Sequence, residues 1–224
     1  MDIKEEKNIN AVCLNYGKTV SDVYIAFMPK NVNLTTVFPK DREKEILSTE
    51  SEKVKREKYC AWKLLEYALM RTFGYKITDL NFSKTADGKW LCDKCYFSIS
   101  HSKDLVTVAV SKNPIGVDLQ LIKKPKYGAI EHVLTNSEKK ALNSLTDEQK
   151  NEYLIFVWSK KESAFKCAIN GKFLPSKIDT NKFNFAQKTL TINGDNYVLN
   201  TCTEFKENIR YFDNVVLNDS INAQ

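Results

Sequence analysis

One stretch in the second half of the chain combines residue types that could do chemistry. Trp158, Glu162 and Lys166 are spaced four residues apart, so on a helix they lie along one face. A carboxylate can bind a cation and an ammonium can bind a phosphate, but Glu–Lys pairs of this spacing are also common on ordinary helix surfaces. This stretch by itself leaves both interpretations open.

Two further stretches favour the chemical interpretation. In residues 115–120, Asp118 and Gln120 alternate with apolar residues, so on a strand both project from one face. Such oxygen ligands suit Mg²⁺, which is commonly held by one or two carboxylates together with substrate phosphates. In residues 97–102, Ser100 and His101 could donate hydrogen bonds to phosphate oxygens. The simpler alternatives are solvent-facing side chains and a turn stabilised by serine hydroxyls.

Basic residues that could contact the same anion occur in the first half of the chain. Lys53, Arg56 and Lys63 lie on a predicted long helix, and Lys89 follows Asp87-Gly88 in a predicted turn. Charge runs on helices are more often solvated faces than binding sites, so these four residues are candidates only.

The elements that must position these residues follow a repeated order. Each half reads as a strand, a short helix, a long helix and then antiparallel strands. The predicted first-half elements cover residues 23–28, 41–47, about 50–74, 80–83, 96–100 and 105–110. The second-half elements cover residues 115–122, 137–144, about 147–171, 182–185, 189–192, 197–203 and 212–217.

Capping signals strengthen the repeat. Thr49-x-x-Glu52 and Thr146-x-x-Gln149 each resemble a capping box, and each threonine precedes a helix-ending glycine by 25 residues (Gly74 and Gly171). The short second-half helix has its own signal at Thr135-x-x-Glu138. The sequence therefore predicts an α+β pseudo-dimer of two similar subdomains, residues 1–113 and 114–224, with a long helix packed on an antiparallel sheet in each. A ligand cleft is expected between the two subdomains.

Composition limits the function classes. The 224 residues are 42% hydrophobic with a net charge of +6, and no apolar run is long enough to span a membrane. The charged start of the chain predicts a cytoplasmic protein without a membrane partner. Acidic residues interrupt every lysine-rich stretch, which argues against nucleic-acid binding. Of the six cysteines, Cys92 and Cys95 form a lone CxxC, and without a second ligand pair we do not predict a metal or redox role for it.

Three motifs, in order along the chain, resemble those of 4′-phosphopantetheinyl transferases of the surfactin-synthetase-activating type. They are Phe-Ser-Ile-Ser-His-Ser at residues 97–102, Ile-Gly-Val-Asp-Leu-Gln at residues 115–120 and Trp-Ser-Lys-Lys-Glu-Ser-Ala-Phe-Lys at residues 158–166. The last motif is the most specific, and Asp87-Gly-Lys89 resembles a further family segment. The resemblance covers about residues 50–185.

The resemblance implies a function and a set of roles. The enzyme would transfer the phosphopantetheine arm of coenzyme A to a serine of an acyl or peptidyl carrier protein, as a monomer and with Mg²⁺. Asp118, Gln120 and Glu162 would be the metal ligands, and Asp118, Glu162 and Lys166 the catalytic group. The residues implied in contacts with coenzyme A are Ser100, His101, Lys89, Lys53, Arg56, Lys63 and Lys161. Trp158 would pack the helix, and Glu138 resembles a family acid of uncertain role.

Two departures from the family pattern carry consequences. Gln120 stands where the family has a second metal-binding glutamate, which should weaken Mg²⁺ binding and leaves an alternative: a catalytically weak homologue that binds coenzyme A or a carrier. Trp62 stands where the family has an arginine for the 3′-phosphate of coenzyme A, so that contact is expected to shift to another cation such as Lys63.

Overall fold

The computed structural model describes residues 20–123, 131–168 and 172–217 and shows an α+β fold, as predicted. Within these ranges, no helix has the length and apolar character needed to cross a bilayer. The helices are α1 (Lys40–Leu47), α2 (Glu52–Phe73), α3 (Asn136–Asn143) and α4 (Asp147–Cys167). The strands are β1 (Val20–Phe27), β2 (Phe82–Lys84), β3 (Trp90–Cys92), β4 (Tyr96–Ser102), β5 (Leu105–Ser111), β6 (Ile115–Leu121), β7 (Asn184–Ile192), β8 (Asp195–Thr203) and β9 (Asn208–Val215).

The first long helix, α2, packs on a four-stranded sheet of order β4-β5-β1-β9. Its buried face carries the leucines and alanines that recur at helical spacing, such as Leu65, Ala68 and Leu69. The predicted capping box at Thr49 is wrong, because Ser51 caps the helix by accepting from the Val54 N–H. Thr49 instead donates its hydroxyl to the carbonyl of Glu45 at 2.8 Å. The predicted end is confirmed, with Gly74 in the left-handed region.

The second long helix, α4, packs on a three-stranded antiparallel sheet of order β6-β8-β7. Both predicted capping boxes of this half are present, at Thr135 for α3 and Thr146 for α4. Helix α4 ends at Cys167, and the predicted terminator Gly171 lies outside the described residues. In both halves an eight-residue helix precedes a helix of 21 or 22 residues, and this match supports the predicted repeat.

The last strands depart from the prediction. The two short strands expected at residues 182–185 and 189–192 are one strand, β7, preceded by a short 3₁₀ turn at Thr180–Lys182. Strand β9 starts earlier than expected and pairs in parallel with β1 of the first sheet. Arg210 on β9 donates to both oxygens of buried Asp22 on β1, at 2.7 and 2.8 Å. The first sheet therefore includes a strand from the end of the chain, and the division at residue 113 stays a prediction.

The two sheets meet through a row of serine hydroxyls on β4. The N–H groups of Val117, Leu119 and Leu121 on β6 donate to Ser98, Ser100 and Ser102 at 2.9, 3.2 and 2.9 Å. Each pair is 19 residues apart, because successive side chains on one face of a strand are two residues apart. The serine ladder satisfies backbone donors on the edge of the second sheet that have no strand partner there.

Gly116 determines how closely α4 approaches β6. A Cβ at this position would lie 1.9 Å from the carbonyl oxygen of Ser163 and 2.4 Å from the backbone nitrogen of Cys167. Only glycine leaves room for this contact, which sets the distance between the helix and the strand that carries Asp118.

We predict that Gly116→Ala is strongly destabilising, because the clash is with backbone atoms that cannot move independently. The expected loss is about 3 kcal/mol or more in the free energy of unfolding, measured by urea denaturation. The control is Gly74→Ala, where a Cβ meets no atom within 4 Å and only the positive φ costs about 1–2 kcal/mol. Equal losses in the two variants would contradict this role of Gly116.

Candidate functional site

A buried carboxylate lies at the centre of the candidate site. Asp118 on β6 has only 2% of its surface exposed. Its Oδ1 accepts from Lys166 Nζ at 2.8 Å and from Ser100 Oγ at 3.0 Å, and its Oδ2 accepts from Gln120 Nε2 at 2.9 Å. Lys166 Nζ also donates to Ser100 Oγ at 3.2 Å. The structure thus brings together Asp118, Gln120, Ser100 and Lys166 from three separate motifs.

Glu162 joins this group from the face of α4 that covers β6. Burial raises the pKa of Glu162 above its ordinary value, the charge of Asp118 raises it further, and Lys166 partly offsets these effects. Two carboxylates therefore lie close enough to repel each other where water is largely excluded. Lys166 acts on both carboxylates, and its single positive charge neutralises only part of their negative charge.

These residues fit a hard divalent cation. The two carboxylates and the amide oxygen of Gln120 are oxygen donors of the type that Mg²⁺ prefers, and such sites are commonly completed by water and substrate phosphates. In the described parts of the chain, no group of three or more histidine, cysteine, aspartate or glutamate side chains could hold a metal. A cation here would depend on Asp118 and Glu162, with Gln120 in place of a third acid.

A cavity of about 470 Å³ is lined by Lys166 and by residues of α1 and α2. Its volume is in the range of ligand sites. Aromatic side chains on its wall are Trp62, Trp90, Phe97 and Phe165, and cationic or imidazole side chains are Arg42, Lys58, Lys89, His101 and Lys166. Neither Asp118 nor Glu162 lines it, so the cavity meets the acidic group only through Lys166.

Two of the predicted coenzyme A contacts lie on this wall. His101 is exposed at the end of β4. Lys89 donates its Nζ to the carbonyls of Lys166 and Ala168, both at 2.8 Å, and its burial lowers its pKa. Lys89 therefore connects the turn before β3 to the end of α4, and its bonds within the described residues use two of its three hydrogens.

The three predicted cations of α2 lie outside the cavity wall. Lys53 pairs with Glu57 at 3.8 Å, Arg56 with Asp104 at 3.3 Å, and Lys63 with Glu66 one turn away. Nothing in this geometry singles them out as ligand contacts.

Two cations on the cavity wall, Arg42 on α1 and Lys58 on α2, were not predicted from the sequence, and Arg42 is the more deeply buried of the two. It is buried, its guanidinium lies 4.8 Å from the ring centre of Trp62, and it pairs with Glu45 at 3.0 Å. Burial lowers its pKa, and Glu45 partly restores it. Arg42 thus brings a positive charge to the place where Trp62 replaces the family's arginine. The sequence offered one signal for the burial of Arg42. It lies four residues before Ile46, on the same helix face, and these two residues are the buried positions of α1.

Lys161 does not face the cavity. Its side chain is fully buried, and its Nζ contacts Glu138 at 2.8 Å and the carbonyls of Pro175 and Ile178 at 2.9 and 2.7 Å. All three of its hydrogens are thereby used. The predicted contact of Lys161 with coenzyme A is not supported, and the pair instead explains Glu138, which ties α3 to α4.

Trp158 packs as predicted. Its ring lies 5.6 Å from that of Phe173 in an edge-on arrangement, and it covers the apolar cluster between α3 and α4. It supports the helix that carries Glu162 and Lys166.

We predict that Lys161→Met reduces stability by about 3–5 kcal/mol, because it leaves the Glu138 charge buried without its cationic partner. Lys140→Met, at an exposed position of α3, is the control and should change the unfolding free energy by less than about 0.5 kcal/mol. If Lys161 instead contacted coenzyme A, its loss would raise the KM for coenzyme A while leaving stability intact.

We predict that Glu162→Gln stabilises the ligand-free chain at neutral pH. A raised pKa in the folded state means that folding favours the protonated group. The stability that Glu162 contributes is therefore full below its ordinary pKa and is lost as pH rises through the raised pKa. The urea midpoint should rise in the variant at pH 7 and match that of the parent in acid. Glu152→Gln, at an exposed position of the same helix, should show no such difference, and a lower midpoint for Glu162→Gln at pH 7 would contradict the argument.

Comparison with known proteins gives one consistent result. Residues 114–219 match the model of the 4′-phosphopantetheinyl transferase superfamily. A 4′-phosphopantetheinyl transferase named ffp from Bacillus subtilis is 34% identical over 100 residues, which is 43% of this chain and 45% of that protein. The transferase Sfp of Bacillus subtilis strain 168 is 27% identical over 115 residues, 50% of this chain and 51% of that protein.

A third relative, the transferase gsp of Aneurinibacillus migulanus, is 26% identical over 113 residues, 50% of this chain and 48% of that protein. The chain spans about half the length of the curated relatives it matches. The motifs and these matches confirm the predicted resemblance: residues 114–219 match the 4′-phosphopantetheinyl transferase superfamily, and the relatives that the chain resembles are 4′-phosphopantetheinyl transferases.

Proposed function

We propose that this protein is a Mg²⁺-dependent 4′-phosphopantetheinyl transferase that moves the phosphopantetheine arm of coenzyme A to a serine of an acyl or peptidyl carrier protein. The observation that carries the proposal is the contact of Asp118 with Lys166 at 2.8 Å beside Glu162. Asp118 and Glu162, which are 44 residues apart in the sequence, share Lys166 as a charge partner, and Lys166 lines a cavity with aromatic and cationic side chains.

The cavity suits the nucleotide part of coenzyme A. Trp90, which is partly exposed on the wall and packs against buried Trp62 at 5.4 Å between ring centres, offers apolar surface to a purine, and cations on the wall offer charge to phosphates. We assign Arg42 to the 3′-phosphate, because it supplies the guanidinium that position 62 lacks. Lys89, His101 and Lys166 would then face the pyrophosphate, and Ser100 would act by holding Asp118 and Lys166 in place.

The transfer forms one bond to the β-phosphorus and breaks another. The carrier serine oxygen forms a bond to the β-phosphorus, the bond from that phosphorus to the bridging oxygen breaks, and adenosine 3′,5′-bisphosphate leaves with the electron pair. The serine proton passes to Glu162 or to a nearby water. Mg²⁺ held by Asp118 and Glu162 would neutralise charge on the phosphoryl oxygens when bound. The protein contributes mainly position and charge, as phosphoryl transfer requires.

Lys166 can stabilise the negative charge that moves to the leaving group during the transfer. Two of its three hydrogens point to Asp118 and Ser100, so among the described residues the third has no acceptor and would donate to a phosphate oxygen. Its side chain is 26% exposed, which lets it contact a ligand in the cavity while its partners hold it in position.

The partner surface stays a proposal. A carrier protein is usually acidic, and the lysines of residues 123–127 would attract it. Of this segment, only Lys123 is exposed within the described residues, and residues 124–130 lie outside them. A monomer in the cytoplasm stays our expectation.

We predict that the protein adds phosphopantetheine to at least one apo carrier protein when incubated with coenzyme A and Mg²⁺, detected by mass spectrometry of the carrier. Asp118→Asn should lower the rate about 100-fold or more, because the metal and Lys166 both lose a charged partner. Glu152→Gln is the matched control and should keep the parent rate. No modification of any carrier in a broad panel, at any Mg²⁺ concentration, would refute the proposed function.

A second candidate, a homologue that binds coenzyme A but transfers slowly, is favoured by Gln120. The Gln120 amide donates to Asp118. With glutamine at this position, the site has one negative charge fewer than it would have with glutamate. We predict that Gln120→Glu lowers the Mg²⁺ concentration needed for half-maximal rate by about tenfold, since one charge partner is worth roughly one kcal/mol or more. An unchanged Mg²⁺ dependence would show that the amide is no handicap.

A further inference from the structure

Cys92 and Cys95 flank the turn between β3 and β4, outside the acidic group. The turn is firmly held, since Asn81 donates to both oxygens of Asp93 at 3.2 and 2.9 Å. Lys94 donates its Nζ to the Asp79 carbonyl at 3.3 Å. The two cysteines are therefore kept in one arrangement by contacts that do not involve their sulfur atoms.

The two thiols have different environments. Cys92 is partly exposed on the wall of a second cavity of about 430 Å³, whereas Cys95 is 6% exposed. Hydrogen bonding from the Cys95 thiol lowers the pKa of Cys92, and the N–H groups of Lys94 and Cys95 act in the same direction. These donors stabilise the Cys92 thiolate, whereas burial and the Asp93 carboxylate, to which the thiol donates at 3.7 Å, favour the thiol, and the net effect lowers the pKa of Cys92.

We propose that Cys92 and Cys95 are a redox-active dithiol that exchanges with anionic low-molecular-weight disulfides, with Cys92 as the attacking sulfur and Cys95 as the resolving one. The proposal does not depend on the transferase function. Within the described residues, no further ligand joins the pair in a metal-holding group, so thiol exchange is the chemistry that the arrangement supports.

The exchange balances without a further reactant. The Cys92 thiolate attacks the disulfide RS–SR, forms a Cys92–SR bond and releases RS⁻, which takes up a proton. Cys95 then loses its proton and attacks the Cys92 sulfur, and the second RS⁻ leaves. The protein is oxidised by two electrons and the disulfide is reduced to two thiols.

The pKa values of the two thiols favour this order of steps. The hydrogen bonds from Cys95 and the turn lower the pKa of Cys92 to about 7, whereas the contact with Cys92 and burial raise that of Cys95. Once Cys92 is bonded to SR, its charge is gone, and the largest cause of the raised Cys95 pKa is removed.

The cavity beside Cys92 favours anionic disulfides. Lys89, Lys94 and Lys112 line it, with Asp93 as the opposing charge. It shares Lys89 and Trp90 with the cavity of the candidate site. A disulfide between Cys92 and Cys95 would therefore form close to residues that line both cavities.

Peptide mapping of the whole protein tests the proposal directly. Trypsin cuts after Lys94, between the two cysteines, so a disulfide links the peptides of residues 90–94 and 95–103. After treatment with oxidised glutathione at pH 7, this linked pair is expected as the main oxidised product. Cys167 and Cys202 are the internal control, since they are in the same kind of contact but both buried, and they should stay reduced.

Two variants separate the roles of the sulfurs. Cys95→Ser keeps a hydrogen-bond donor but cannot resolve, so it should accumulate a glutathione adduct on Cys92. Cys95→Ala lacks the donor, and its Cys92 should be alkylated by iodoacetamide at pH 7 about tenfold more slowly than in Cys95→Ser, because less thiolate is present. Circular dichroism verifies that both variants are folded.

The charge preference is tested with oxidised glutathione and cystamine, which are anionic and cationic. The parent should react several-fold faster with oxidised glutathione at low salt. The proposal is overturned if peptides 90–94 and 95–103 stay unlinked, if Cys92 in the folded protein reacts no faster than in the urea-unfolded chain, or if cystamine is preferred.

Discussion

The hydrogen bonds of three serine hydroxyls to the backbone of β6 hold the site in register. A strand at the edge of a sheet presents unpaired N–H groups, and burying them without partners costs about 1–3 kcal/mol each. Here Ser98, Ser100 and Ser102 accept from those groups. Because alternate residues repeat at the same spacing on both strands, a slip by one residue would break the whole ladder.

The ladder also decides which side chains meet. With Ser100 accepting from the Leu119 N–H, its hydroxyl reaches Asp118 and Lys166. One hydroxyl thus connects strand β4, strand β6 and helix α4. The serines of this motif are as important for joining the two sheets as for any contact with a ligand, and Gly116 allows α4 to come close enough for Lys166 to take part.

Local patterns in the sequence were enough to predict most elements and the central residues of the site. Helical spacing placed Glu162 and Lys166 on one face, and strand alternation placed Asp118 and Gln120 on one face. The resemblance of the motifs to those of the transferases predicted that these two pairs form one site. Long-range pairing was not accessible in this way. Lys161 and Arg42 both lie in charge-rich helices, and nothing local reveals that Lys161 finds Glu138 and two carbonyls, or that Arg42 lies over Trp62. Strand β9 was expected as a strand, but its parallel pairing with β1 requires a partner about 190 residues away in sequence, and pattern alone does not specify such a partner.

The parallel pairing of β9 with β1 affects how the chain can be made. Val20 pairs with Asn208, and Arg210 donates to Asp22. One edge of β1 therefore stays unpaired until β9 has been made. During synthesis, β1 leaves the ribosome long before β9 exists, and its unpaired edge is open to other chains in that interval. Folding of the first sheet is therefore completed only after β9 has been synthesised, and a nascent chain stalled after β5 would be expected to associate with neighbours through that edge.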